Sequence, residues 1–449
     1  MAKKLSKEEL LTKAEEPKRY AMKYHSFYRG KIGVELKAPV RDYSDFAIWY
    51  TPGVAEPCKA IHQDTSAVFQ YTNRASLVAV VTDGTRVLGL GDIGPEAALP
   101  VMEGKGMLFK YLGGVDAFPI CLDTKDPDEI IRAVKWLAPT FGGINLEDIA
   151  KPKCFYILDQ LGKELDIPVW HDDQQGTALV NLAGLMSALK VVGKKIDNIS
   201  IAFIGAGAAN INCVKYIVLA GADPDRMIMV DSKGILNPER TELKETEPTK
   251  WALCEKTNKE ERRGGIKEAV KGADVCIALS RSGPGVIEKE WVADMADEAI
   301  LFACANPIPE IWPWEAREAG VRIVATGRSD FPNQVNNSLG FPAVFRGALD
   351  VGAKMITDEM CITASQAISG FAEKKGLSDE YIIPTMGETE MFVEEAVAVG
   401  LKAIKQGVAR MKKSAEELRE SASSAIKIAQ ETMKLLQRTS FWLVNMDFP

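Results

Sequence analysis

Two pairs of adjacent acids, Glu147-Asp148 in Asn-Leu-Glu-Asp-Ile and Asp172-Asp173 in His-Asp-Asp-Gln-Gln-Gly-Thr, are the residues best suited to hold a metal ion. Three carboxylate oxygens from such pairs suit a hard divalent cation, Mg²⁺ or Mn²⁺ rather than Zn²⁺, and leave positions for water and a bidentate 2-hydroxy acid. Read alone, such a pair is more commonly a helix cap or a solvated surface charge. Asp172-Asp173 differs in following the apolar run 167–170, which places it at the end of a buried strand, where open α/β sheets bind ligands. The chain has only 3 histidines, so carboxylates must build the metal site and other side chains must carry protons. Lys105 lies in the apolar helical stretch 99–109, where desolvation and a nearby cation would both favour the neutral amine that a general base requires. The competing reading is a lysine that snorkels to the surface. Tyr50, in Ile-Trp-Tyr-Thr-Pro-Gly, sits at a turn whose Pro52 and Gly53 would fix its hydroxyl, unless the ring only packs.

A second group of residues reads as a nucleotide site. The strand expected over 199–204 runs into Gly205-Ala206-Gly207-Ala208-Ala209-Asn210 and then a helix. Glycines at the first two positions allow a tight turn and a close backbone approach, so a pyrophosphate can sit on the free amides of the helix N-terminus. Asn210 stands where the fingerprint has Gly or Ala, and its larger side chain is expected to loosen the contact between helix and strand. Asp231 closes the next expected strand, where a carboxylate would accept hydrogen bonds from the adenine ribose. Ser232-Lys233 follows directly, and a lysine there could meet a ribose phosphate, so the choice between NAD and NADP stays open.

Positioning these residues requires an α/β fold. Strands are expected at 77–82, 118–122, 167–170, 199–204, 227–231, 275–279, 300–304 and 321–325, and apolar residues at helical spacing mark a helix over 176–190. The expected organisation is an N-terminal α/β substrate and metal domain (1–174), a Rossmann-like doubly wound parallel sheet (175–345) and C-terminal helices (346–449). The helices should pack on the other domains or on a partner subunit. With 449 residues, 46% of them hydrophobic, the chain can bury cores of this size without disulfides. A net charge of -7 offers nucleic acid and anionic membranes little attraction. The 8 cysteines form no Cys-x-x-Cys pair, the N-terminus lacks a signal-peptide core and no apolar run is expected to reach spanning length, which places the protein in the cytoplasm.

With those residues in view, the sequence resembles the malic enzymes from about residue 24 to about residue 348. The matching runs are Tyr-Thr-Pro-Gly-Val-Ala-Glu-Pro-Cys from Tyr50, Val-Thr-Asp-Gly from Val81, Leu-Gly-Leu-Gly-Asp-Ile-Gly from Leu88, Pro-Val-Met-Glu-Gly-Lys ending at Lys105, Phe-Gly-Gly-Ile-Asn-Leu-Glu-Asp-Ile from Phe141, and His-Asp-Asp-Gln from His171. The resemblance implies oxidative decarboxylation of malate to pyruvate with NAD or NADP, Tyr50 as general acid, Lys105 as general base, and Glu147, Asp148 and Asp173 as ligands of Mg²⁺ or Mn²⁺. It further implies that Arg86 binds a substrate carboxylate, as in the larger members of the family, and that Asn306, Asn337 and, less directly, Asn336 meet substrate or nicotinamide. Gln175 stands where the smaller bacterial-type members usually have histidine. A homodimer or higher homo-oligomer is expected. Two rival readings are a metal-independent amino-acid dehydrogenase and a nucleotide-binding regulatory protein with little turnover.

Overall fold

All eight runs expected as strands form strands in the computed structural model, which describes residues 7–439, and two short strands join them. In chain order they are β1 (Leu77–Thr82), β2 (Asp116–Cys121), β3 (Gly143–Leu146), β4 (Val169–His171), β5 (Ile201–Ile204), β6 (Met227–Asp231), β7 (Gly234–Ile235), β8 (Val275–Ala278), β9 (Ile300–Ala303) and β10 (Ile323–Thr326). The first four make a parallel sheet in the order β2-β1-β3-β4. The other six run β10-β9-β8-β5-β6-β7, parallel except for the β6–β7 pair. That order reverses direction at β5, and the neighbouring ends of β5 and β8 leave the crevice in which doubly wound sheets bind dinucleotides. β3 escaped the sequence reading because two of its four residues, Gly143 and Asn145, are not apolar. Its glycine has a packing cause, since a Cβ there would stand 2.8 Å from the Phe345 ring.

Helix α1 (Pro95–Gly113) opens with proline, whose missing N–H costs nothing in a first turn, and stops at Gly114, which takes the left-handed conformation (φ 62°). Its buried stripe is Ala98, Met102, Lys105, Phe109 and Leu112, spaced by three and four residues, so helical geometry carries Lys105 into the core with its neighbours. α2 (Thr177–Val192) and α3 (Ala208–Leu219) follow the first sheet and β5. The stretch Asp172–Val192 does reach spanning length, at 21 residues and mean hydropathy 1.2, against the expectation that none would. It is a core helix, 72% of whose apolar window is buried inside the protein.

After β10 the described residues contain helices and no further strand: α4 (Phe341–Asp350), α5 (Asp358–Lys375), α6 (Thr389–Gln406) and α7 (Ala415–Thr439). Phe341 and Phe345 of α4 meet Phe109 of α1 at ring separations of 4.6 and 5.2 Å, which fastens the C-terminal helices to the first sheet. Such ring pairs contribute about 0.5–1.5 kcal/mol each beyond their burial. α7 buries Leu418, Ala422, Ile426 and Ala429, and its Ala425 lies against Gly114 at the end of α1. Residues 174/175 fall within the short π-helical turn Asp172–Gly176 that leads into α2, and residues 345/346 within α4.

Candidate active site

The paired strand ends bring the acids together. Parallel pairing sets Leu146 beside His171, so Glu147-Asp148 and Asp172-Asp173 leave the same edge of the sheet side by side. Glu147, Asp148 and Asp173 each present an oxygen, and these oxygens lie within 4.8 Å of one another. The backbone locks the arrangement: the Asp148 amide donates to Asp173 Oδ2 (2.9 Å), and the Arg86 amide donates to the Asp148 carbonyl (2.9 Å). Asp148 holds a left-handed conformation (φ 53°), a strain that aspartate tolerates better than most residues. Its Oδ2 is buried without a hydrogen-bond partner. Burial and then the Asp173 charge push the Asp148 carboxyl up to about 8, and burial pushes Glu147 well above its usual range. Three carboxylates with one buried lysine among them, and with Asp148 Oδ2 buried and unpaired, fit a hard divalent cation.

Lys105 adjoins this cluster. Its Nζ contacts the Asp172 carboxylate, stands 3.2 Å from Glu147 Oε1 and lies 4.6 Å from the centre of the Phe341 ring. Burial favours the neutral amine, as anticipated, but the charges of Asp172 and Glu147 and the Asp172 hydrogen bond outweigh it and hold the proton on more tightly than usual. The neutral form therefore depends on the second influence expected of the site, a cation that offsets the charges of Asp172 and Glu147. Asp172 is thus the partner of the lysine and stands outside the three-acid cluster. The turn 172–176 keeps it there: Trp170 Nε1 donates to Asp172 Oδ1 (3.1 Å), the His171 amide donates to Gln175 Oε1 (2.9 Å), and a Cβ at Gly176 would collide with the Asp172 carboxylate.

Tyr50 caps the short helix Asp45–Trp49 and is 71% exposed, with no hydrogen bond to its hydroxyl among the described residues. The turn after it needs glycine, because a Cβ at Gly53 would stand 2.5 Å from the Ile48 carbonyl. Arg86 is exposed beside the acids, its guanidinium donating to the Leu88 carbonyl (2.7 Å). Sequence reasoning gave no role to Asp83, which is buried after β1, pairs with Lys153 and accepts from Thr85 Oγ1 (2.6 Å). Thr85 Oγ1 in turn accepts from the Ala150 amide (2.9 Å), so this network braces the loop that carries Asp148. Its position at the end of a strand, followed by Gly84, was the available signal.

On the nucleotide side, Gly205 has φ 98° and a Cβ there would stand 2.6 Å from the Leu279 carbonyl, while Gly207 precedes α3. Asn210 tightens the turn instead of loosening it. Its buried Nδ2 donates to the carbonyls of Ile204 (3.0 Å) and Gly205 (2.8 Å), so hydrogen bonds replace the contact that a small residue would make. Lys151 Nζ donates to the Ala206 carbonyl (3.3 Å) and to Glu247 (2.6 Å). Asp231 accepts from the Lys233 amide (2.9 Å), Arg240 (2.7 Å) and Lys250 (3.1 Å). Burial alone would raise its carboxyl, and these donors pull it below the usual range. Ser232 and the Lys233 side chain are exposed next to it, and Lys233 and Arg240 line an open 710 Å³ groove.

The two halves meet where α3 reaches the acidic turn: Asn212 Nδ2 donates to the Gln174 carbonyl (3.1 Å). Asn337 lies at the same place, its Cβ 3.3 Å from where a Cβ on Gly176 would be. Asn306, exposed after β9, approaches Gly327, whose carbonyl accepts from Asn336 Nδ2 (3.3 Å). Asn336 also caps its own turn through the Ser338 amide (3.0 Å), which leaves it less free than Asn306 or Asn337 to meet a ligand.

The chain matches the family described as "Malic enzyme, N-terminal domain" over residues 29–162 and the family described as "Malic enzyme, NAD binding domain" over residues 174–406. The NAD-dependent malic enzyme of Geobacillus stearothermophilus is 51% identical over 358 residues, 80% of this chain and 73% of that protein. The NADP-dependent malic enzyme of Halomonas elongata is 42% identical over 400 residues, 86% of this chain and 93% of that protein. The crystal structure of Entamoeba histolytica malic enzyme superposes with a TM-score of 0.95 at 48% identity, covering 100% of this chain and 94% of that one.

Proposed function

Because the chain belongs to the malic enzyme family and oxidatively decarboxylates malate to pyruvate with NAD or NADP, we propose that Lys105 and Tyr50 carry its protons and that Glu147, Asp148 and Asp173 hold its divalent metal. The observation that carries this reading is the three-carboxylate cluster with a buried lysine beside it, next to the helix that follows the dinucleotide turn. NAD or NADP would supply the hydride acceptor, and Mg²⁺ or Mn²⁺ held by Glu147, Asp148 and Asp173 would supply positive charge that polarises malate. With Glu147 engaged as a ligand, Lys105 would pass its proton to Asp172, whose carboxyl burial raises, and the neutral amine could then take the C2 hydroxyl proton. Arg86 binds a carboxylate of malate, and Asn306 and Asn337, with Asn336 behind them, orient malate against the nicotinamide ring. After carbon dioxide leaves, Tyr50 protonates C3 to give pyruvate. Gly205, Ala206, Gly207 and Asn210 form the turn for the pyrophosphate, and Asp231 with Ser232 meets the adenine ribose. A purified assay crossing malate with both cofactors and both metals tests the reading directly, and no turnover under any combination would sink it.

Asp231 makes the cofactor choice testable. Its carboxylate repels a ribose phosphate, yet it also occupies Arg240 and Lys250, which such a phosphate would seek. Asp231→Ser releases both cations, and the ratio of NADP to NAD efficiency should rise by about tenfold or more, equivalent to about 1.4 kcal/mol. An unchanged ratio in steady-state kinetics would show that Asp231 does not reach the ribose.

Residues 34–54 also support a homodimer or higher homo-oligomer. Val34, Leu36, Tyr43, Ile48 and Trp49 are all exposed on this segment together with Tyr50, an apolar patch of the kind that subunits cover. The double variant Leu36→Glu/Tyr43→Glu should shift the mass measured by light scattering towards the monomer. A monomeric wild type at assay concentrations would remove the proposal. The free thiols of all 8 cysteines fit a reducing compartment, and we place the enzyme in the cytoplasm.

A further inference from the structure

Glu310 is a fully buried carboxylate that the mechanism above does not use, and among the described residues no cation pairs with it. Burying an uncompensated charge is costly unless hydrogen bonds to it are numerous and well placed. Here they are. Oε1 accepts from the Ser280 amide (2.8 Å) and the Ser280 hydroxyl (3.0 Å), and Oε2 accepts from the Ala305 amide (3.0 Å). Ser280 lies two residues past the end of β8 and Ala305 two residues past the end of β9, so one side chain bridges the loops that leave two neighbouring strands at their ligand-binding edge. The loop after β9 carries Asn306 as its next residue. A second bridge repeats the connection further out, where Ser282 Oγ donates to the Ile308 carbonyl (3.1 Å) and accepts from the Ile308 amide (3.0 Å).

We propose that Glu310 is a positioning residue for the reaction: its carboxylate ties the β8 loop to the β9 loop and thereby fixes where Asn306 meets the nicotinamide and malate. This inference rests on the assignment of Asn306 to the ligand site. The chemistry demands a carboxylate, because three donors converge on two oxygens. An amide of the same size turns its NH₂ against either Ser280 or Ala305, whichever way it faces. One loop must then move, and a displacement of about 1 Å at a reacting pair can cost about a hundredfold in rate.

The test is a double-mutant cycle with kcat, KM for malate and the dissociation constant of NADH by fluorescence, measured for Glu310→Gln, Asn306→Ala and the combination. Glu310→Gln should lower kcat by about 10- to 100-fold while NADH affinity stays within about threefold, because none of the hydrogen bonds to the Glu310 carboxylate comes from the pyrophosphate turn at 205–210. The combined variant should be no more than about threefold slower than Asn306→Ala, since both changes remove the same interaction. Losses that multiply, or a Glu310→Gln enzyme with wild-type kcat beside a slow Asn306→Ala, would overturn the inference and leave the Asn306 assignment standing. A wild-type Asn306→Ala beside a slow Glu310→Gln would overturn both. If Glu310→Gln does not fold, Ser280→Ala removes one donor without burying a mismatch. It should slow kcat about three- to tenfold, non-additively with Asn306→Ala, and a wild-type rate would refute the proposal.

Discussion

Exhaustive chelation should abolish malate oxidation, Mn²⁺ should restore it, and Asp148→Asn should reproduce the loss with the metal present. These outcomes follow from the charge at the site: three carboxylates share a space 4.8 Å across, and a neutral amide cannot supply the charge that Asp148 brings to a hard cation. A loss of about 10²-fold or more is expected, because orientation and charge at C2 both depend on that cation. Stability gives a second reading. Asp148 ionises near 3.8 when unfolded but keeps its proton up to about 8 in the metal-free fold, with burial the main cause and Asp173 the next. Between those values the folded state binds more protons, so Asp148 makes metal-free stability fall as pH rises from about 4 to about 8. A cation takes the place of the proton, and its stabilisation must therefore grow with pH. At 100-fold excess over the dissociation constant it should contribute about 2.7 kcal/mol. Thermal midpoints with and without Mn²⁺ should differ more at pH 8 than at pH 6, and Asp148→Asn should remove most of the difference. Activity that survives chelation would sink the metal reading and return the metal-independent dehydrogenase to consideration.

The parts of this site that were legible in the sequence are those fixed by local chemistry. Gly205 and Gly207 announce a tight turn because their neighbours on both sides follow strand and helix patterns, and the structure needs glycine at 205 for contact with Leu279. The acids stood out because they come in adjacent pairs, one of them at the end of the apolar run 167–170. What could not be read was partnership across the chain. Nothing local says that Asp172 faces Lys105, 67 residues earlier, so the sequence reading weighed burial and a nearby cation but not the carboxylates that hold the lysine's proton. Asn210 was misjudged for the opposite reason: a rule about size ignored that an amide of that length reaches two strand-end carbonyls. β3 was hidden because its glycine answers to Phe345, which lies some two hundred residues further along the chain. Glu310 likewise has no local motif, since Ser280 lies 30 residues away.

Lys105 and Tyr50 should fail differently when removed, because they act at different steps. Lys105→Ala deletes the base that starts oxidation, and malate turnover should fall by about two to four orders of magnitude. It also leaves Asp172 and Glu147 buried without their cation, so circular dichroism and a thermal midpoint must accompany the kinetics. Tyr50→Phe keeps the ring and removes only the proton donor. Because Tyr50 is 71% exposed, its hydroxyl can be lost without leaving a buried polar partner unsatisfied, and the variant should fold normally. Oxidation then remains possible while protonation at C3 slows. Two partial reactions separate the steps: oxaloacetate enters after hydride transfer, and pyruvate in deuterated water reports proton exchange at C3. Tyr50→Phe should be the more impaired in exchange, and Lys105→Ala the more impaired in malate oxidation relative to its own exchange rate. Some exchange defect in Lys105→Ala is compatible with the scheme if the lysine reprotonates Tyr50 between turnovers. A Tyr50→Phe enzyme that exchanges deuterium into pyruvate at the wild-type rate is not compatible with it, and the role of general acid would then pass to another residue.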